Sequence, residues 1–168
     1  METGEIKMKM EAFDIVSLID ETVEQIEPIA LSKKINVSVV KKDWKSVIVL
    51  ADYYRIFQVL KNLLSNAIKY SKDNSTIEIQ IEKRKKVVNI SVVDSGIGIP
   101  KNDRKRIFER FYRIDKSRSK KKGGTGLGLA IVKHIIEGHK TKIKLKSKIN
   151  HGSRLSLIHI SEPTRPRS

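Results

Sequence analysis

The stretch V59-L-K-N-L-L-S-N-A-I-K-Y-S71 decides how the rest of the chain is read. Val59, Leu60, Leu63, Leu64, Ala67 and Ile68 recur at helical spacing and demand a core. Asn62 and Asn66 sit one turn apart on the edge of that apolar face, although asparagine competes with the helix for backbone hydrogen bonds. Gln58, Asn62, Asn66 and Lys69 together form one stripe. A stripe bordering the apolar face can line a pocket while the other face holds a sheet. An amide oxygen is a neutral, hard ligand suited to Mg²⁺, and Lys69 offers a cation to phosphate. Satisfied surface amides are the plainer alternative.

Outward from this helix, the chain alternates helices and strands. Helical spacing runs from Phe13 to about Lys34, with Pro28 as a point of kinking. INVSVV (35–40) and SVIVLA (46–51) read as strands around a turn at KKDW, and Asp52 caps the asparagine helix. TIEIQIEK, KRKK and VVNISVVD (76–94) form a hairpin. A short helical piece is expected around Asp103 to Arg110, another helix over GLGLAIVKHIIEGH (126–139), and closing strands in KIKLKSK and SRLSLIHI. The pattern is α/β or α+β in two layers.

The 168 residues suit one domain, and the absence of cysteine rules out a disulfide framework and a thiolate metal site. No apolar run approaches the roughly 18–20 residues of a membrane span, and METGEIKMKMEAFD lacks the apolar core of a signal peptide. The net charge of +16 suits a nucleic acid, an anionic membrane surface or a nucleotide. Much of it lies in KRKK (83–86) and KSRSKKK (116–122), and charge runs are commonly solvated loops. Aromatic residues are only 5% of the chain and do not interleave with these runs, so a stacking platform for single strands is poorly supported.

Two glycine clusters carry the remaining chemistry. GGTGLGLAI (123–131) sets Gly124, Gly126 and Gly128 at a helix start, where backbone N–H groups attract anions; a flexible hinge is the other reading. It matches neither the dinucleotide nor the P-loop spacing. DSGIGIP (94–100) ends a strand with Asp94, followed by Gly96 and Gly98. An ionised Asp94 is acceptor-only and could take a hydrogen bond from the exocyclic amine of a base, or simply cap a turn.

In this order, with RIFERFYR (106–113) between the glycine clusters, the motifs resemble the catalytic ATP-binding domain of bacterial sensor histidine kinases, in the GHKL (Bergerat) superfamily. NLLSNAIKYS looks like its N box, DSGIGIP its G1 box, RIFERFYR its F box and GTGLGLAI its G2 box, over about residues 10–157. The resemblance implies a two-layer α/β sandwich, a mixed, largely antiparallel sheet packed on three helices, with ATP and Mg²⁺ as cofactors. Asn66 would coordinate Mg²⁺, with Asn62 as a neighbouring polar contact. Lys69 would neutralise phosphate charge, Tyr70 flank the adenine and Asp94 accept from its N6 amine. Gly96, Gly98 and Ile99 would border the base. Arg113 would reach the terminal phosphate, and Gly124, Thr125, Gly126, Leu127 and Gly128 would form the hinge of a basic lid. Phe108 and Phe111 are read as core anchors of that lid.

Related hydrolases of the superfamily carry a glutamate four residues before the metal-binding Asn. Here that position is Asn62, and an amide cannot take a proton from water, which favours a kinase over an ATPase. None of His134, His139, His151 and His159 is followed by the acidic residue of the family's phosphoacceptor motif. The expectation is therefore a fragment: residues 1–12 a linker from a dimerisation domain, 13–157 the catalytic domain, 158–168 a cloning scar or translated adapter. The intact kinase would be homodimeric, membrane-anchored with this domain cytoplasmic, and would pass phosphate on to a response regulator. An anti-sigma-factor serine kinase, a slow ATPase and a basic nucleic-acid-binding module are the rivals. Lys140 and Thr141 stand where the family often has Gly-Gly, which puts the turn after the last helix in question.

Overall fold

The computed structural model describes residues 7–42, 44–110, 112 and 128–161, the last four by backbone alone. A five-stranded sheet backs three helices. The strands are β1 (Glu11–Asp14), β2 (Asn36–Val40), β3 (Ile48–Ala51), β4 (Thr76–Arg84), β5 (Val87–Asp94), β6 (Lys142–Lys148) and β7 (Gly152–Ser161). The helices are α1 (Ile15–Ser32), α2 (Tyr53–Tyr70) and α3 (Gly128–Gly138), with a 3₁₀ turn at Lys101–Asp103. The sheet order is β2-β4-β5-β7-β6; β2 lies parallel to β4 and the other neighbours are antiparallel. This is the mixed two-layer sandwich that the sequence implies.

Alternation sorts the strands. Ile77, Ile79, Ile81, Val88, Ile90, Val92, Leu155 and Leu157 face the helices and are buried. α2 buries Ile56, Val59, Leu60, Leu63, Leu64, Ala67 and Ile68 against them. Each large apolar side chain so buried contributes about 1.5–3 kcal/mol relative to exposure. Both long helices start on an aspartate. Asp52 Oδ1 accepts from the Arg55 N–H at 3.2 Å. Asp14 Oδ1 accepts from both Val16 N–H and Val47 N–H, each at 3.0 Å.

β2 and β3 flank the expected turn, where the Trp44 N–H bonds the Lys41 carbonyl at 3.2 Å, but they do not pair with each other, and the second bond of Asp14 explains why. Asp14 and the Ile15 N–H→Val47 carbonyl bond draw residue 47 to the start of α1. β3 therefore pairs with the unforeseen β1 in a separate two-stranded ribbon, and β2 joins β4. The fold thus takes in Glu11 and Ala12, and α1 begins at Ile15 because Asp14 is its cap. α1 continues through Pro28 without a break. The helical piece expected at 103–110 is a 3₁₀ turn beginning at Lys101, followed by further turns.

At the other end, β7 follows the expected closing strand SRLSLIHI and ends one residue beyond it, at Ser161. Val87 pairs with Ser161, Val88 with Ile160 and Lys142 with Ile158, because backbone pairing is indifferent to side-chain identity where neighbouring strands extend. The register against β5 shifts between Val88 and Ile90, where Ile90 pairs with Leu157 and Val88 with Ile160.

The turn after α3 keeps helix-ending geometry without glycine. Thr141 N–H bonds the Ile136 carbonyl and Lys140 N–H the Glu137 carbonyl, with Lys140 at φ 56°. Lys34 ends α1 in the same way, at φ 54°.

Candidate functional site

The asparagine-bearing stripe of α2 runs between the start of α3 and the turn after β5. Asn62 and Asn66 are half-buried, as expected for side chains bordering a core. Asn62 Nδ2 lies 3.5 Å from the Gly128 carbonyl, joining the asparagine helix to the start of the helix that follows the glycine loop. At the far end of α2, Lys69 Nζ lies 5.7 Å from the centre of the Tyr70 ring, and the Tyr70 carbonyl accepts from the Ile97 N–H at 3.3 Å. The asparagine helix and the Asp-Gly turn are therefore in direct contact.

Close approach dictates the glycines of that turn. A Cβ on Gly96 would lie 2.3 Å from the Tyr70 carbonyl oxygen, so any side chain there pushes the turn off α2. Gly98 has φ +75°, and a Cβ would lie 2.3 Å from the Lys148 carbonyl oxygen. Gly128 differs: its Cβ would meet Asn62 at an ordinary 3.9 Å.

Asp94 closes β5. Its Oδ1 accepts from Gly96 N–H at 2.9 Å and Ser153 N–H at 3.3 Å. Burial pushes the Asp94 carboxyl above the usual range, and these two bonds pull the other way. Among the described residues no hydrogen bond reaches Oδ2, which leaves an acceptor for a donor such as an exocyclic amine. Nearby, the buried Ser71 Oγ has no hydrogen-bond partner among the described residues.

Several supports escaped the sequence reading. Ile99 N–H donates to Ser147 Oγ at 2.7 Å, Arg104 Nε donates to the Ile99 carbonyl at 3.2 Å, and Lys33 caps the end of α2. No motif marks these residues; serines at strand ends and lysines at helix ends are commonplace. His139 has a packing role, as expected of it: its Nε2 accepts from Asp52 N–H at 3.0 Å. Phe108 packs on the core. Arg113, Gly124, Thr125, Gly126, Leu127, Phe111 and the basic loop lie outside the described residues.

A metal would have few protein ligands here. Among the described residues no three His, Cys, Asp or Glu side chains cluster to hold one. The half-buried amide of Asn66 fits an ion that takes most of its oxygens from phosphate and water, which is the habit of Mg²⁺.

Known proteins share this fold. Residues 51–164 match the family of histidine kinase-, DNA gyrase B- and HSP90-like ATPases, and the chain belongs to that family. Within it, the fold is that of a histidine-kinase catalytic domain. The catalytic domain of histidine kinase ThkA superposes with a TM-score of 0.80 at 31% identity, over 92% of this chain and 97% of that one. The sensor-like histidine kinase SenX3 of Mycolicibacterium smegmatis is 40% identical over 148 residues, 88% of this chain. Full-length ShkA, solved in complex with AMPPNP, matches 96% of this chain and 33% of its own, with a TM-score of 0.82 at 25% identity. The chain spans 38% of that SenX3 and 15% of the WalK of Bacillus subtilis. These relatives favour the histidine-kinase reading over the serine kinase, the slow ATPase and the nucleic-acid module.

Proposed function

We propose that this chain is the ATP-binding catalytic domain of a two-component sensor histidine kinase. It binds ATP with Mg²⁺ and presents the γ-phosphoryl to a histidine on a dimerisation domain. Asp94 receives the adenine amine, with Gly96, Gly98 and Ile99 bordering the base and Tyr70 flanking it. Asn66 would hold Mg²⁺, which would supply positive charge to neutralise the phosphates. Lys69 and Arg113 neutralise the phosphates, and Gly124 to Gly128 hinge the lid. Asn62 lacks a base's proton affinity, so water is not activated and the phosphoryl waits for an imidazole. Catalysis then rests on positioning and charge neutralisation.

The observation that carries this reading is the Asp94 carboxylate beside the end of the asparagine helix, oriented through Oδ1 and with no hydrogen bond to Oδ2 among the described residues. Relatives supply the rest. ShkA was solved with AMPPNP, and ThkA also in complex with the response regulator TrrA. By analogy, the whole kinase works as a membrane-anchored homodimer, with this domain in the cytoplasm and a response regulator as its partner.

Calorimetric titration of Mg·ATP into the wild type and Asp94→Asn tests the reading. Saturable binding that the variant loses, without phosphate release, is the expected result. No binding to the folded wild type would overturn it.

A further inference from the structure

The face of the sheet turned away from the helices also has structure. β6 is an edge strand on which Lys142, Lys144, Lys146 and Lys148 all point outward, exposed, and none forms an ion pair among the described residues. Lys146 pairs in register with Arg154 on β7, and Lys144 with Ser156. Directly opposed residues have Cβ atoms about 4.5–5.5 Å apart, and like charges there are destabilising. The sheet tolerates this pair without a carboxylate between them. The Arg154 guanidinium instead turns across the sheet to Gln80 Oε1 at 2.7 Å, and lies 4.0 Å from Glu82.

Between these groups lies a shallow concavity of about 180 Å³, lined by Glu82, Ser91, Lys144, Lys146, Arg154 and Ser156 among others. Its floor is the hydroxyl pair of Ser91 and Ser156, 2.8 Å apart, with Ser91 buried. One of the two hydroxyl protons is used between them, so the other is left to donate. Lysines that only guarded an edge against strand addition would suffice on β6 alone. Arg154 and the hydroxyl pair lie one and two strands further in, and guarding does not require them.

We propose that this concavity is a binding site for a phosphate group, separate from the nucleotide site on the other face. Lys144 and Lys146 supply charge, a serine hydroxyl donates from the floor, and Arg154 exchanges its bond to Gln80 and its place beside Glu82 for a bidentate contact with the phosphate. The phosphate belongs either to a soluble phosphorylated molecule or to a lipid headgroup.

Amide NMR of the full chain titrated with inorganic phosphate, against chloride at matched ionic strength, reads the site. Saturable shifts confined to Lys144, Lys146, Arg154 and Ser156 are expected. Affinity should fall about tenfold or more in Lys144→Gln/Lys146→Gln, from the loss of two charge-assisted contacts, with Mg·ATP binding unchanged. Vesicles bearing a phosphoinositide that retain the protein, and release it to inorganic phosphate, would identify a headgroup as the source. No retention, with the shifts intact, would identify a soluble one. Shifts that chloride reproduces, or that the double variant keeps, would overturn the site.

Discussion

The ammonium of Lys33, at the end of α1, lies 2.8 Å from the carbonyl oxygens of both Ile68 and Ser71 and 3.3 Å from that of Lys69. The last carbonyls of a helix have no partners within it, and a cation there also meets the negative end of the helix dipole. One side chain thereby fixes the turn that carries Lys69 and Tyr70, on which the Asp94–Gly98 turn rests through Ile97. Lys33→Met should cost about 1–3 kcal/mol in urea unfolding and weaken Mg·ATP binding several-fold, while Lys33→Arg recovers part of both. Unchanged affinity in a folded Lys33→Met protein would show that the clamp does not reach the site.

The two glycines facing α2 should behave oppositely. Gly96→Ala puts a Cβ against the Tyr70 carbonyl and should cost about 2–4 kcal/mol and abolish nucleotide binding. Gly128→Ala meets Asn62 at an ordinary distance and should leave thermal stability nearly unchanged. Comparable melting of the two variants would contradict the geometry.

Asp94 should set function against stability. Its folded pKa is raised above 3.8, so its proton stabilises the fold at low pH, and that contribution is lost as pH rises through the folded pKa. Asp94→Asn keeps an acceptor for Gly96 and Ser153 without the charge. It should be at least as stable as wild type at pH 7, lose that advantage as pH falls towards 3.8, and not bind ATP. Denaturation at several pH values checks the sign.

Lys140 occupies a left-handed position after α3 that glycine adopts freely. Lys140→Gly should raise stability by roughly 0.5–1 kcal/mol, the relief of left-handed strain less the entropy of a glycine in the unfolded chain. A higher urea midpoint at unchanged slope is the signature.

Much of this molecule was legible because each signal was local. The period of α2, the alternation of β4 and β5 and the aspartate caps each follow from neighbours in sequence. The contact of Gly96 with Tyr70 was not legible, since 26 positions separate the two and the resemblance implies only that both border the base. The β1–β3 ribbon was missed because four residues, EAFD, carry no periodic signal and the pairing depends on Asp14 reaching Val47. Lys33, Ser147 and Arg104 were missed for a similar reason: their partners are 35 to 48 positions away, or are backbone atoms that no side-chain pattern announces. The closing strand SRLSLIHI was legible to within a residue at each end, because its alternation is local.

The segment before β1 is fastened at a telling place. Lys9 N–H donates to Asp52 Oδ2 at 2.9 Å, and Met8 packs over Gly138 at the end of α3. Asp52 is the cap of the asparagine helix, and Lys9 precedes the first rung of the β1–β3 ladder. Tension drawn along the incoming chain is therefore borne first by that cap, and only afterwards by the ribbon. In mechanical terms the ribbon is an anchor in series behind a lever, and the lever's short arm is the helix that carries Asn62 and Asn66.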